Sequence, residues 1–102
     1  MADGKSSRET LLAEEFFQQT AHIPWHDLQT YYAKGSVVNV ASELDLVEVA
    51  VALALDNNNQ FQAWISAGDI AAVTEQQAQK WFDQNPDLWA VVAAPWVLVQ
   101  YK

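Results

Sequence analysis

The 102 residues suffice for one domain with its own buried core and no staples. Apolar residues make up 51% of the chain, five Trp, four Phe and three Tyr among them, and charged residues only 18%, which excludes a disordered polypeptide. The absence of cysteine excludes disulfides, thiolate zinc sites and cysteine nucleophiles, and the formal net charge of −8 argues against a partner held by its phosphates.

Residues 1–6 have no apolar core of the kind a signal peptide needs and read as a disordered tail. Residues 7–102 read as a single globular domain. No apolar run approaches the roughly 20 residues of a membrane helix, so the expected location is the cytoplasm, with no membrane partner. Ser6 with Glu9 three residues on has the form of a capping box. Leu12 with Phe16 and Ala13 with Phe17 then predict a first helix whose apolar stripe reaches Ala21. Pro24 ends that pattern and suits the first turn of a second helix, with Trp25, Leu28, Tyr31 and Tyr32 on one side and Gly35 just past its end. Val37, Val38 and Val40 predict a short strand.

Ser42 is expected to cap a third helix, apolar nearly all round from Leu44 to Leu55 and therefore buried. Asp56 to Asn59 form a turn cluster. A fourth helix carries Phe61, Trp64 and Ile65 and closes at Gly68. Ile70 to Val73 predict a second strand. Thr74, with Gln77 three residues on, caps a last helix with Ala78, Trp81 and Phe82 as its buried stripe. Leu88 to Tyr101 read as strand, with Pro95 at an edge, a bulge or a tight turn because it cannot donate to a ladder. The expected fold is α+β, four to five helices on a small sheet. The helix, short polar turn, helix, glycine order of residues 46–68 gives it a helix-turn-helix or winged-helix-like central unit.

Each candidate site has a plain structural competitor. A recognition helix in residues 59–68 would enter a major groove, yet from Gly35 to Gln79 there is no Lys or Arg to meet phosphates. A buried helical hairpin is the better reading. His22 and His26 have the spacing of a helical metal pair, but Pro24 stands between them and no third ligand is near, so solvated or capping roles are expected. Asp45 and Glu48 could pair for acid–base work or hold a cation, and they are also what a helix N-terminus favours. Capping is the expected role, which leaves them a weak polar site. Trp25, Trp64 and Trp81 belong in a core. Trp89 and Trp96 would point to opposite faces of one continuous strand, so at least one is a candidate interface residue. No glycine-rich phosphate loop, no metal set and no cofactor site is present in the pattern, and no catalytic residue stands out.

Ile23-Pro24-Trp25, Leu28-Gln29, Lys34-Gly35, Leu44 to Ala50, Asp56-Asn57, Trp64, Gly68, Leu88 to Val92 and Pro95 to Gln100 together resemble a small bacterial family catalogued as domain of unknown function 2288. The resemblance runs over about residues 20–100. It implies a bacterial cytoplasmic protein and carries no activity or catalytic residue with it.

The favoured function is therefore a non-enzymatic interaction module that binds a protein partner or itself. Self-association as a homodimer is expected from the apolar density of Leu88 to Tyr101. The alternatives are a helix-turn-helix protein associated with transcription, and a small-ligand binder or enzyme using Asp45 and Glu48. The Lys/Arg-free span from Gly35 to Gln79 makes one prediction at this level. Fluorescence anisotropy with random duplex DNA at roughly 50 mM salt should detect no binding. Micromolar binding that weakens steeply with added salt would contradict it.

Overall fold

A computed structural model of the protein describes residues 4–101. In chain order the elements are α1 (Gly4–Gln19), β1 (Ala21–Pro24), α2 (Trp25–Ala33), β2 (Val37–Val40), α3 (Leu46–Ala54), α4 (Asn58–Ala67), β3 (Ile70–Ala72), α5 (Glu75–Gln84), β4 (Asp87–Ala93) and β5 (Trp96–Gln100). The fold is α+β. Five helices accompany a five-stranded mixed sheet of order β1-β4-β5-β2-β3. β5 and β2 run parallel, and every other neighbouring pair is antiparallel.

The centre of the sheet comes from the C-terminal apolar segment. It is a hairpin rather than one strand. Ala93 pairs with Trp96, and Ala94 and Pro95, joined by a cis peptide, make the turn. Reversal at the turn puts Trp89, Val91 and Ala93 on the same side as Trp96, Leu98 and Gln100. Leu88 and Ala90 share the other side with Val97 and Val99.

Each face is covered by helices. One core joins Val38, Val40, Ile70, Val91 and Leu98 to Leu46, Val49 and Ala50 of α3 and Trp64 of α4, with Phe16 of α1 packed against them. The other joins Val37, Leu88, Ala90, Val97 and Val99 to Trp25 and Leu28 of α2 and Ala78 and Trp81 of α5. Self-association was expected because a three-stranded sheet covered on one side leaves an apolar face open. Five strands and two helical layers remove that reason. Trp96 remains 38% exposed at the turn end of the hairpin, and Val92 on the opposite face is exposed as well.

Several local expectations hold. Thr74 caps α5 by accepting the Gln77 N–H at 3.1 Å. Gly35 (φ +73°) and Gly68 (φ +81°) take left-handed conformations just past α2 and α4, where a glycine costs least. Others need correction. The expected tail falls partly outside the described residues, and Gly4 to Ser6 lie within α1, so Ser6 is not its start. α1 ends at Gln19, and Ala21 to Pro24 form an edge strand, where a terminal proline is tolerated. Asp45, not Ser42, caps α3. Phe82, expected in a buried stripe, is exposed, as are Phe17 and Ile65 of the predicted apolar patterns, because each helix meets the core along a narrower line than its apolar residues span.

α3 and α4 are joined by the short turn Leu55 to Asn57. The geometry gives no support to a helix-turn-helix. α3 lies on the sheet beside α1, and its buried residues are part of the sheet's own core.

α2 and α5 hold each other by their ends. Pro24 offers α2 no side-chain cap. The first amides instead find acceptors across the fold: Trp25 N–H donates to the Pro86 carbonyl at 3.0 Å and His26 N–H to Asn85 Oδ1 at 3.0 Å. In return the His26 ring nitrogen Nε2 donates to the Phe82 carbonyl at 2.8 Å, one of the carbonyls left open at the end of α5.

The difference between neighbouring Trp81 and Phe82 can be measured. Trp81 is 1% exposed and Phe82 50%. Trp81→Ala should cost about 3–5 kcal/mol in urea unfolding, as large aromatic truncations in cores do. Phe82→Ala should cost roughly 0.5 kcal/mol or little more, as surface changes do. Equal losses would contradict the placement of α5.

Candidate functional site

The parallel strands β2 and β5 end side by side, at Val40 and Gln100, below the N-terminus of α3. In open α/β sheets the carboxyl end of parallel strands is where ligands bind. Here it opens into a cleft of about 640 Å³ between α1 and the β2–α3 connection. α1 contributes Ala13, Phe17 and Thr20. The connection and the first residues of α3 contribute Glu43, Leu44, Asp45, Leu46 and Val47. The sheet contributes Trp89 and Gln100.

The register of the strands sets the floor. His22 of β1 lies opposite Trp89 of β4, which lies opposite Gln100 of β5. The three side chains therefore form a row on one face. The His22 and Trp89 rings stack with centroids 3.7 Å apart and planes 37° off parallel. Trp89 is thereby held from the edge side of the sheet while its indole forms part of the cleft wall.

Gln100 anchors the other end of the row. It is 2% exposed, although polar. Its Nε2 donates to the carbonyls of Ala41 and Leu44, both at 2.7 Å. Those two residues bracket a tight turn, since Leu44 N–H donates to the Ala41 carbonyl at 3.1 Å. One amide thus pins the β2–α3 connection to the end of β5. The connection then delivers Asp45, whose Oδ1 accepts from Val47 N–H at 2.9 Å and Glu48 N–H at 3.4 Å. On the opposite wall Thr20 ends α1 by donating its hydroxyl to the Phe16 carbonyl at 2.7 Å.

The predicted site residues are divided by this geometry. Asp45 is at the cleft and acts as the expected cap, whereas Glu48 is exposed and does not line the cleft, so the two do not converge on a shared ligand there. Trp89 and Trp96 share a face of the sheet but sit at opposite ends of the hairpin. Only Trp89 belongs to the cleft. His22 and His26 are separated onto β1 and α2, in a stacking and a capping role. Among the described residues no group of three or more His, Cys, Asp or Glu side chains is placed to hold a metal ion. None of the described helices is long and apolar enough to cross a membrane.

Gln100, Glu43 and Phe17 are the site residues that sequence reasoning missed. Phe17 was assigned to a core stripe. Gln100 reads as the wet end of an apolar run. Only the cross-strand register, set by the Pro95 turn, places it over the β2–α3 connection.

The family described as "Protein of unknown function (DUF2288)" matches residues 11–101. The chain belongs to this family. Every element from β1 to β5 falls within the match, so the cleft floor and the β2–α3 connection are family territory. The solved NMR solution structure of PA1075 from Pseudomonas aeruginosa is similar, with 39% sequence identity and a TM-score of 0.76, covering 98% of this chain and 90% of that one. No curated protein matches the chain. The DUF2288 fold is thus identified, and neither comparison points to an enzyme or to a role in transcription.

The Gln100 clamp is testable by stability. Gln100→Leu keeps the volume but removes both donors, so the Leu44 carbonyl loses its partner and the Ala41 carbonyl keeps only the Leu44 N–H. The expected loss is about 1–3 kcal/mol in urea unfolding. A loss under roughly 0.5 kcal/mol would show that the connection is held by other means.

Proposed function

We propose that this DUF2288 domain is a non-enzymatic cytoplasmic interaction module, and that a protein partner docks in the cleft between α1 and the β2–α3 connection. The observation that carries this reading is Phe17. It is a large aromatic side chain, 72% exposed, at the edge of a concave site with Trp89 and Leu44 in its walls. Exposed aromatic groups beside a pocket are what interface anchors and their sockets look like. The polar groups of the cleft support the same reading. Asp45 and Gln100 are engaged in fixing the backbone around the cleft, through a cap and a clamp, rather than arranged as an acid–base pair. A pocket of this size also falls within the range that ligand sites occupy, about 300–1,000 Å³. The cytoplasmic assignment rests on the cysteine-free composition.

Photo-crosslinking from position 17 tests the proposal directly. A benzoyl-phenylalanine in place of Phe17 should yield a defined heavier adduct on irradiation in the source cell. The same group at exposed Thr30, on the other face of the sheet, should not. Absence of a position-17 adduct, or equal adducts from both positions, would refute docking at the cleft.

A further inference from the structure

The side of α1 turned away from the sheet carries an apolar residue between two charges that have no partner. Phe16 packs on the core and Ala13 lines the cleft. Leu11 points the other way, about 140° around the helix from Phe16 and about 160° from Ala13. It is 67% exposed. A single exposed leucine is ordinary, but the residues in line with this one are charged. Arg8 precedes it by three residues and Glu15 follows it by four, so the three share one stripe, and all are exposed.

Charges on a helix surface are relieved by opposite charges three or four residues away. Arg8 has Gly4 and Lys5 behind it at those spacings and Leu11 and Leu12 ahead. Glu15 has Leu11 and Leu12 behind it and Gln18 and Gln19 ahead. Neither makes an ion pair or hydrogen bond among the described residues. They are about 10 Å apart along the axis, too far to pair with each other.

An antiparallel copy of the same helix supplies both missing partners. About a two-fold axis beside Leu11, position 8 of one helix comes level with position 15 of the other, because each is three to four residues from the axis. Arg8 and Glu15 also lie on the same flank of Leu11, about 60° and about 40° round. In an antiparallel helix pair, equal flanks face each other across the contact.

We propose that the outer face of α1 is an interface with a second copy of this chain, in which the two α1 helices pair antiparallel, Leu11 meets the partner's Leu11, and Arg8 pairs with the partner's Glu15 and Glu15 with the partner's Arg8. The second copy is the occupant because the charge order along the stripe is complementary to its own reverse. The contact is small and joins two acidic chains, so the dissociation constant is expected to be on the order of 100 µM. The interface lies across α1 from Ala13 and leaves the cleft open. Self-association and docking in the cleft therefore stand or fall separately.

The test is sedimentation velocity of the full chain from about 10 µM to about 1 mM, with charge-reversed variants. The wild type should pass from monomer to dimer over this range. Arg8→Glu alone gives two acidic positions, and Glu15→Arg alone gives two basic ones. Each variant should self-associate at least about tenfold more weakly than the wild type. Mixed in equal amounts, the two variants should recover the dimer, since every acidic position then meets a basic one. Leu11→Ala, which changes no charge, should also weaken the dimer. All three side chains are exposed, so the amide NMR spectra of the variants should keep the wild-type pattern outside α1. A wild type that stays monomeric to about 1 mM overturns the proposal. So does a dimer that neither charge reversal weakens, or a mixture of the two variants that fails to associate.

Discussion

The two-residue turn at Ala94 and Pro95 is the constraint on which the rest of the fold depends. Leu88 to Val99 is too apolar to be wetted on either side. Folding it back on itself puts two adjacent strands at the middle of the sheet, with buried residues on both faces. Such a pair needs a helical layer on each side and strands on each flank. The chain supplies these from its earlier segments: β1 pairs with β4, β2 pairs in parallel with β5, and β3 extends the sheet past β2. α1, α3 and α4 go to one face and α2 and α5 to the other. The mixed topology thus follows from one apolar hairpin that must be hidden completely.

The same turn determines where the polar site appears. With Ala93 opposite Trp96, the pairing runs on until Trp89 meets Gln100, the last residue of β5. A register shift of one residue would turn Gln100 toward the other core, away from Ala41 and Leu44. The cleft floor, the clamp on the β2–α3 connection and the position of the Asp45 cap are therefore consequences of hairpin register. No property of any one of these residues would place them together. The parallel pairing of β2 with β5 matters as well, because it brings the ends of two strands and the start of a helix to one place.

Much of the element order was legible in the sequence, and the reasons are local. Thr74 with Gln77, Gly35, Gly68 and the β-branched run Val37 to Val40 act through short-range chemistry, and they mark the boundaries that the structure has. Trp64 and Trp81 at helical spacing pointed to cores and lie in them. β1 was hidden because four residues ending in proline resemble a helix break more than a strand, and only the open edge of β4 recruits them. Asp45 was correctly read as a helix-terminal carboxylate, yet Ser42 was preferred as the cap. The choice between them is made by Gln100, which holds residues 41–44 in a turn before the helix begins. Gln100 itself was illegible, since its partners are carbonyls more than fifty residues away, with separations of 59 and 56.

The two faces of the sheet are closed to different degrees, and this bears on which one can take a ligand. On the α2/α5 face the helices lock each other through His26, Asn85 and Pro86, and the Trp25 and Trp81 rings pack with centroids 5.1 Å apart and planes tilted by 58° within the core they cover. On the other face α3 sits centrally, while α1 touches only α3 and β4 among its principal neighbours. α1 seals its part of the sheet with Phe16, and the most exposed large apolar side chains of the described residues, Leu11 and Phe17, are both its own. A helix packed along one narrow line leaves concave space at its flank, and here that space ends at the carboxyl ends of β2 and β5. Filling it from within would take larger side chains at Ala13 or Thr20, where the chain has small ones. The opening therefore lies where α1 meets the loop pinned by Gln100.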